Sequence, residues 1–247
     1  MERYSNIMFG AIVVMAFAVG ILWQRVNSLQ SSGVARGSTT QGVQGTTTAG
    51  SPDGAVPVNG KLSASQAQRL KAVSDEDFIR GNRDAQVFVV EYSDLECPFC
   101  QRFHGTAQQA VDDYGGDVAW VYRHFPLDSI HPSAKPAAIA SECVNQIAGE
   151  EVFWRFTDAI FASQQSALSD LGGTAEALGV SRGQFEACVK DGSLEANVDS
   201  DYQSGLTAGV TGTPGNFVAN SSGEVWAIPG AVPYAQLEAV INEALGS

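Results

Sequence analysis

Histidine, cysteine and basic residues are all scarce in this chain. Three histidines and four cysteines are spread over 247 residues. The one close cysteine pair, Cys97 and Cys100, has no second Cys or His pair at short spacing; His104 is the nearest candidate, and Cys143 and Cys188 stand isolated. Zinc sites built on C-x-x-C bring such a second pair, so no metal is expected. Only 14 Lys and Arg stand against 27 Asp and Glu, a formal net charge of −13. That balance favours solubility and argues against nucleic acid or an anionic membrane surface as a partner. No internal repeat is visible. The composition is 44% hydrophobic and 17% charged, enough for one good core plus tails. Four cysteines is an even number that fits two pairs and suits an oxidising compartment.

Ile7 to Trp23 is an uncharged apolar run with Arg3 before it and Arg25 after. As a helix it would reach about 26 Å, at the low end for spanning a bilayer. Two readings stay open: an uncleaved signal anchor within residues 1–23, or a signal peptide cut near Ala16-Phe17-Ala18. Apolar character continuing to Trp23 favours the anchor. Residues 24–60, with Ser38-Thr39-Thr40, Thr46-Thr47-Thr48 and Pro52-Asp53-Gly54, cannot bury apolar surface and read as a flexible tether. The cysteines place the remainder, residues 61–247, on the extracytoplasmic face of the membrane.

The chemistry centres on Val87 to Tyr114. Val87-Phe88-Val89-Val90 reads as a buried strand. After Ser93-Asp94-Leu95-Glu96 comes Cys97-Pro98-Phe99-Cys100. Phe99, Phe103, Ala107, Ala110, Val111 and Tyr114 then recur at helical spacing up to Gly115-Gly116. Cys97 thus falls at a strand-to-helix junction, with Pro98 at the first helical position, where its missing N–H costs nothing. Free backbone N–H groups and the helix dipole favour an anion there, so the Cys97 thiol should ionise easily. Cys100 lies about one turn on. It can hydrogen-bond a Cys97 thiolate or close a disulfide with it, with Cys97 as exposed nucleophile and Cys100 as shielded resolving thiol. Stabilising the thiolate makes the oxidised pair a better oxidant.

Glu91 to Cys100 (EYSDLECPFC), Tyr122 to Leu127 (YRHFPL) and Val210 to Pro214 (VTGTP), in that order, resemble the DsbA-like thioredoxin-fold family of extracytoplasmic thiol–disulfide oxidoreductases. The resemblance covers about residues 75 to 245. It implies an α/β thioredoxin fold, a central mixed sheet flanked by helices, with an inserted all-helical subdomain. It also implies a cis Thr213–Pro214 bond facing Cys97, and a Glu91 beneath the pair that shuttles a proton for Cys100. A proline there has no N–H, which leaves the Thr213 backbone free to pair with an extended substrate and keeps metal-binding groups from the sulfurs. The strongest oxidants of the family carry His after the proline between the cysteines; Phe99 stands here. Gly215-Asn216 replaces small or β-branched residues, so a looser loop is expected.

Around this centre, Ser63 to Val73 has weak helical character, and Asp75 to Asn82 reads as a lead-in to the first strand. Val118 to Phe125 is a second strand, making a right-handed parallel βαβ unit. His124 and His131 at its end are read as ordinary hydrogen-bonding groups. Residues 133 to about 208 hold no convincing strand but several helices, among them one with a capping-box pattern at Ser181 to Gln184. Cys143 and Cys188, the latter beside Phe185 and Val189 on a buried face, are expected to pair in an exported protein, with two buried free thiols as the alternative. Asn216 to Ala219 and Val225 to Ile228 form a hairpin about Asn220 to Gly223. Pro233 to Leu245 is an amphipathic helix on the sheet. The expected activity is donation of disulfides to reduced exported polypeptides by a monomer with no cofactor beyond its redox-active pair. The resemblance implies reoxidation by a membrane quinone-linked thiol oxidase. A reductase or isomerase remains open, as does a non-catalytic peptide-binding module.

Overall fold

The computed structural model describes residues 60–246. The apolar run at 7–23 and all of the tether except Gly60 lie outside them. Among the described residues no helix is long and apolar enough to cross a membrane.

Six strands make one mixed sheet: β1 (Gly60–Lys61), β2 (Phe78–Gly81), β3 (Val87–Ser93), β4 (Val118–His124), β5 (Gly215–Asn220) and β6 (Val225–Pro229). Their spatial order is β1-β6-β5-β3-β4-β2. Only β3 and β4 run parallel, and helix α2 (Pro98–Tyr114) is the crossover between them. A parallel pair cannot be closed by a tight turn, and the 17 residues of α2 span the required length. A one-turn helix α1 (Ala64–Ala67) precedes β2, and α9 (Tyr234–Leu245) ends the chain. Between the two halves of the sheet lie α3 (Ala134–Ala148), α4 (Glu150–Ala162), α5 (Gln164–Ser169), α6 (Leu171–Ala177), α7 (Arg182–Asp191) and α8 (Glu195–Ala208).

β3 and β4 are covered on both faces, which is why they read as near-continuous apolar runs. Side chains alternate along them. Val87, Val89, Trp120 and Tyr122 enter the larger core with Phe103 of α2, Phe153 and Phe156 of α4, and Leu237 of α9. Val90, Tyr92 and Val121 enter the smaller one with Phe125 and Phe217. Each fully buried side chain of this size contributes about 1.5–3 kcal/mol of transfer free energy. Helix α8 approaches the smaller core closely because Gly205 has no Cβ; one there would lie 2.6 Å from the Phe125 ring and 2.9 Å from Tyr92.

Several local expectations need correction. Phe78–Gly81 is a strand, antiparallel to β4, not a lead-in. Its short pattern was masked by Asp77, which is buried because it forms a two-pronged pair (2.8 and 3.0 Å) with the fully buried Arg123. Arg123 also donates to the carbonyls of Lys71 and Ala72 and to the Tyr92 oxygen, so its fork is satisfied inside the protein. Helix α1 is a single turn rather than a helix from Ser63 to Val73, and it carries the capping box, between Ser63 and Gln66. Ser181 does sit at the N-cap of α7, but its side chain makes no cap bond. Val189 is exposed rather than buried. Cys143 of α3 and Cys188 of α7 are joined by a disulfide with a Cα–Cα separation of 5.8 Å.

Candidate functional site

Strand β3, in the middle of the sheet, ends at Ser93, and Asp94-Leu95-Glu96 turns the chain into α2. Cys97 is the N-cap, in extended conformation, with Pro98 at the first helical position. Its N–H is bound by the Asp94 carbonyl at 3.0 Å. The Gln164 side chain holds the carbonyls of Leu95 and Cys97 at 2.9 and 3.3 Å. The turn is therefore fixed from both the sheet and the helical insertion.

Both thiols are free. The Cys97 pKa is lowered from 9.0 to about 5 in all, and the hydrogen bond from Cys100 is the largest influence on it. Burial works in the opposite direction; the Thr213 side chain and the backbone N–H groups of Cys100 and Phe99 add to the lowering. Thr213 Oγ1 has no partner of ordinary hydrogen-bond geometry and is buried, so it is free to donate to a thiolate. Cys100 moves the other way. Burial, then the hydrogen bond to Cys97, then the Glu91 charge raise it well above 9.0. The expectation of an exposed Cys97 is corrected: it keeps 3% of its surface and Cys100 none. The reason is the loop opposite, where the cis Thr213–Pro214 bond places the Thr213 carbonyl 3.5 Å from Cys97 Sγ. Phe99 is half exposed, beneath the Arg102 guanidinium.

Glu91 sits on the α2 side of β3. Its carboxyl accepts from Ser93 Oγ at 2.7 Å and Trp120 Nε1 at 3.1 Å. Burial raises its pKa from 4.5 to about 8, against those two bonds. A carboxyl so placed exchanges its proton near neutral pH. The loop after Pro214 is tight rather than loose. A Cβ on Gly215 would lie 2.6 Å from Val210 Cγ1, and the buried Asn216 donates to the Gly230 carbonyl at 2.8 Å.

Cys97, Cys100, Glu91, Pro98, Thr213 and Pro214 thus converge, while Cys143 and Cys188 lie in the insertion. His104 is occupied by Asp158, at 2.7 Å. His124 is buried, and burial drops its pKa to about 3, so it is neutral. His131 is a hydrogen-bonding group, as read from the sequence, and its partner is the buried Asp94, at 2.8 Å. Sequence reasoning also missed Asp94, Ser93, Trp120 and Gln164. Asp94 was in view, as an acid in the strand-to-helix turn; nothing marked the other three.

A thiol pair at a helix start, facing a cis-proline loop on a mixed sheet with a helical insertion, defines a DsbA-like thioredoxin domain. The sequence matches the family described as thioredoxin over residues 73–242, and the chain belongs to that family. Among solved structures, DsbA2 of Pseudomonas aeruginosa is 28% identical, with a TM-score of 0.61 over 70% of this chain and 96% of that one. Oxidised BdbD of Bacillus subtilis, at 21% identity and a TM-score of 0.59 over 77% of this chain and 98% of that one, shares the fold. Among curated sequences, a Na(+)/H(+) antiporter NhaA 1 of Salinispora arenicola is 35% identical over 146 residues, 58% of this chain and 22% of the antiporter. Another from Mycolicibacterium gilvum is 36% identical over 147 residues, 58% and 23%. The chain spans less than a quarter of these curated relatives. The described domain is of the thiol–disulfide oxidoreductase class.

Proposed function

We propose that the protein donates disulfides to reduced exported polypeptides through Cys97 and Cys100. A substrate thiolate attacks Cys97 Sγ, forming a mixed disulfide and breaking the Cys97–Cys100 bond. Cys100 leaves with the electron pair and takes a proton from Glu91. A second substrate thiol, once deprotonated, attacks the substrate sulfur of the mixed disulfide, and Cys97 leaves as a thiolate. The substrate has lost two electrons and the pair has gained them, so no further cofactor enters the balance. An extended substrate pairs with the Thr213 backbone, and Pro214 keeps competing donors away. In this reading the domain works as a monomer on the extracytoplasmic face of the membrane, held by residues 7–23 through the tether. A quinone-linked membrane thiol oxidase restores the disulfide.

One observation carries the proposal: Cys97 caps a helix against the Thr213 loop with Cys100 fully buried behind it, and this placement poises the two thiols oppositely, Cys97 lowered to about 5 and Cys100 raised well above 9.0. The better leaving group is the one that faces substrate, which drives exchange toward release of an oxidised product. Oxidative refolding of a reduced model protein tests it. Catalysis by the unsubstituted chain and its loss in Cys97→Ala are expected. Refolding at the same rate with either chain would leave a peptide-binding module.

A further inference from the structure

The first turn of α2 supplies no charged partner for the anion at its head: Pro98 and Phe99 are uncharged. A buried carboxylate stands close behind instead. Asp94 is 1% exposed, its backbone N–H donates to Cys100 Sγ at 3.4 Å, and its carbonyl holds the Cys97 N–H. The Asp94 carboxylate accepts from the N–H groups of Glu96 and Leu127, at 2.8 and 2.9 Å. Its remaining partner is His131 Nδ1. A carboxylate buried beside a thiolate would oppose that thiolate through a medium that screens poorly.

We propose that His131, drawn onto Asp94 by the loop after β4, is a positioning residue that stays cationic to offset this carboxylate and so holds Cys97 as an anion. The proposal rests on the thiol chemistry assigned above. The charged groups that face the imidazole are Asp94, Cys97 and Glu96. Burial alone would make His131 less basic, yet the Asp94 bond and these charges outweigh it, and its pKa lies above 6.5. The side chain is 18% exposed, which gives it a route for protons to and from water. Its neighbour Ser133 is tied by its N–H to the Glu96 carboxylate at 2.6 Å, so the loop is fixed at both acids of the turn. The influence is reciprocal: forming the Cys97–Cys100 disulfide removes the thiolate and must make His131 less basic.

The test uses His131→Asn in the full chain, because an asparagine amide can replace the Nδ1–H donor to Asp94 without the charge. Thiolate absorbance against pH should show the Cys97 ionisation constant falling by about threefold to tenfold relative to the unsubstituted protein. The equilibrium with glutathione should shift by a similar factor toward the disulfide form. Unchanged values in a folded His131→Asn protein would make His131 a loop anchor only and overturn the proposal. A second measurement needs no variant: the His131 ring followed by NMR through a pH series. A lower ring pKa in the disulfide form than in the reduced form is expected, and equal values would overturn it. An ordinary thiol pKa for Cys97 in the unsubstituted protein would overturn the functional reading itself, and this inference with it.

Discussion

The molecule holds two cysteine pairs whose chemistry is set by placement. Cys97 and Cys100 are one turn apart at the head of α2, where backbone N–H groups, a neighbouring thiol and the Thr213 loop all favour an anion. Cys143 and Cys188 are separated by 45 residues, lie within α3 and α7, and are bonded. Closing a short loop removes little entropy from the unfolded chain, whereas closing 45 residues removes much more. In the proposed function the first pair changes partners, while the second joins two helices. The same side chain serves both ends because only one pair meets a helix terminus.

Several experiments would break or sharpen this contrast. The largest effect is expected from Cys97→Ala, which should return oxidative refolding to the uncatalysed rate. The double variant Cys143→Ala/Cys188→Ala should keep the rate within about twofold, since the pairs share no partner. That double variant should instead lose about 4 kcal/mol of stability in urea unfolding, by the loop-closure estimate for 45 residues.

Closing the first pair should do the opposite and destabilise the protein. The folded pKa of Cys97, about 5, lies below its reference value of 9.0. The reduced form therefore gains stability that is fully present above pH 9 and is lost as pH falls through about 5. Chemical unfolding of reduced and disulfide forms should show the reduced form ahead at pH 8 and the gap narrowing toward pH 5. Gly215→Ala, which sets a methyl against Val210 beside the cis-proline loop, should cost about 1–3 kcal/mol in the same assay.

The effect of Glu91→Gln is expected to depend on pH, small in acid and large in base. Glu91 has its folded pKa raised from 4.5 to about 8, so the stability of its protonated form is present below 4.5 and lost as pH rises through 8. Thermal unfolding should find Glu91→Gln close to the unsubstituted protein at pH 5 and more stable than it at pH 9.

The contrast between the pairs also explains what could be read from the chain alone. The strand into Cys97, the helix after it and the C-terminal helix were legible because each carries a local periodicity and a local stop. Phe78–Gly81 was not, because four residues are too few for a pattern and Asp77 beside them makes sense only against Arg123, 46 residues away. The placement of Cys97 at a helix start was legible from its own neighbours. The role of Asp94 and His131 was not, since they meet only when the loop after β4 folds back across 37 residues. The seating of Gly215 on Val210 is likewise a matter of packing, and the departure of Gly215-Asn216 from the family's pattern pointed in the wrong direction.

The direction of exchange is the part most directly open to a single measurement, the reduction potential of Cys97–Cys100 against glutathione. A thiolate held at the helix head predicts a value nearer to about −120 mV, in the range of strong oxidants, than to the about −270 mV of a reducing pair. A potential at or below about −270 mV would contradict that account.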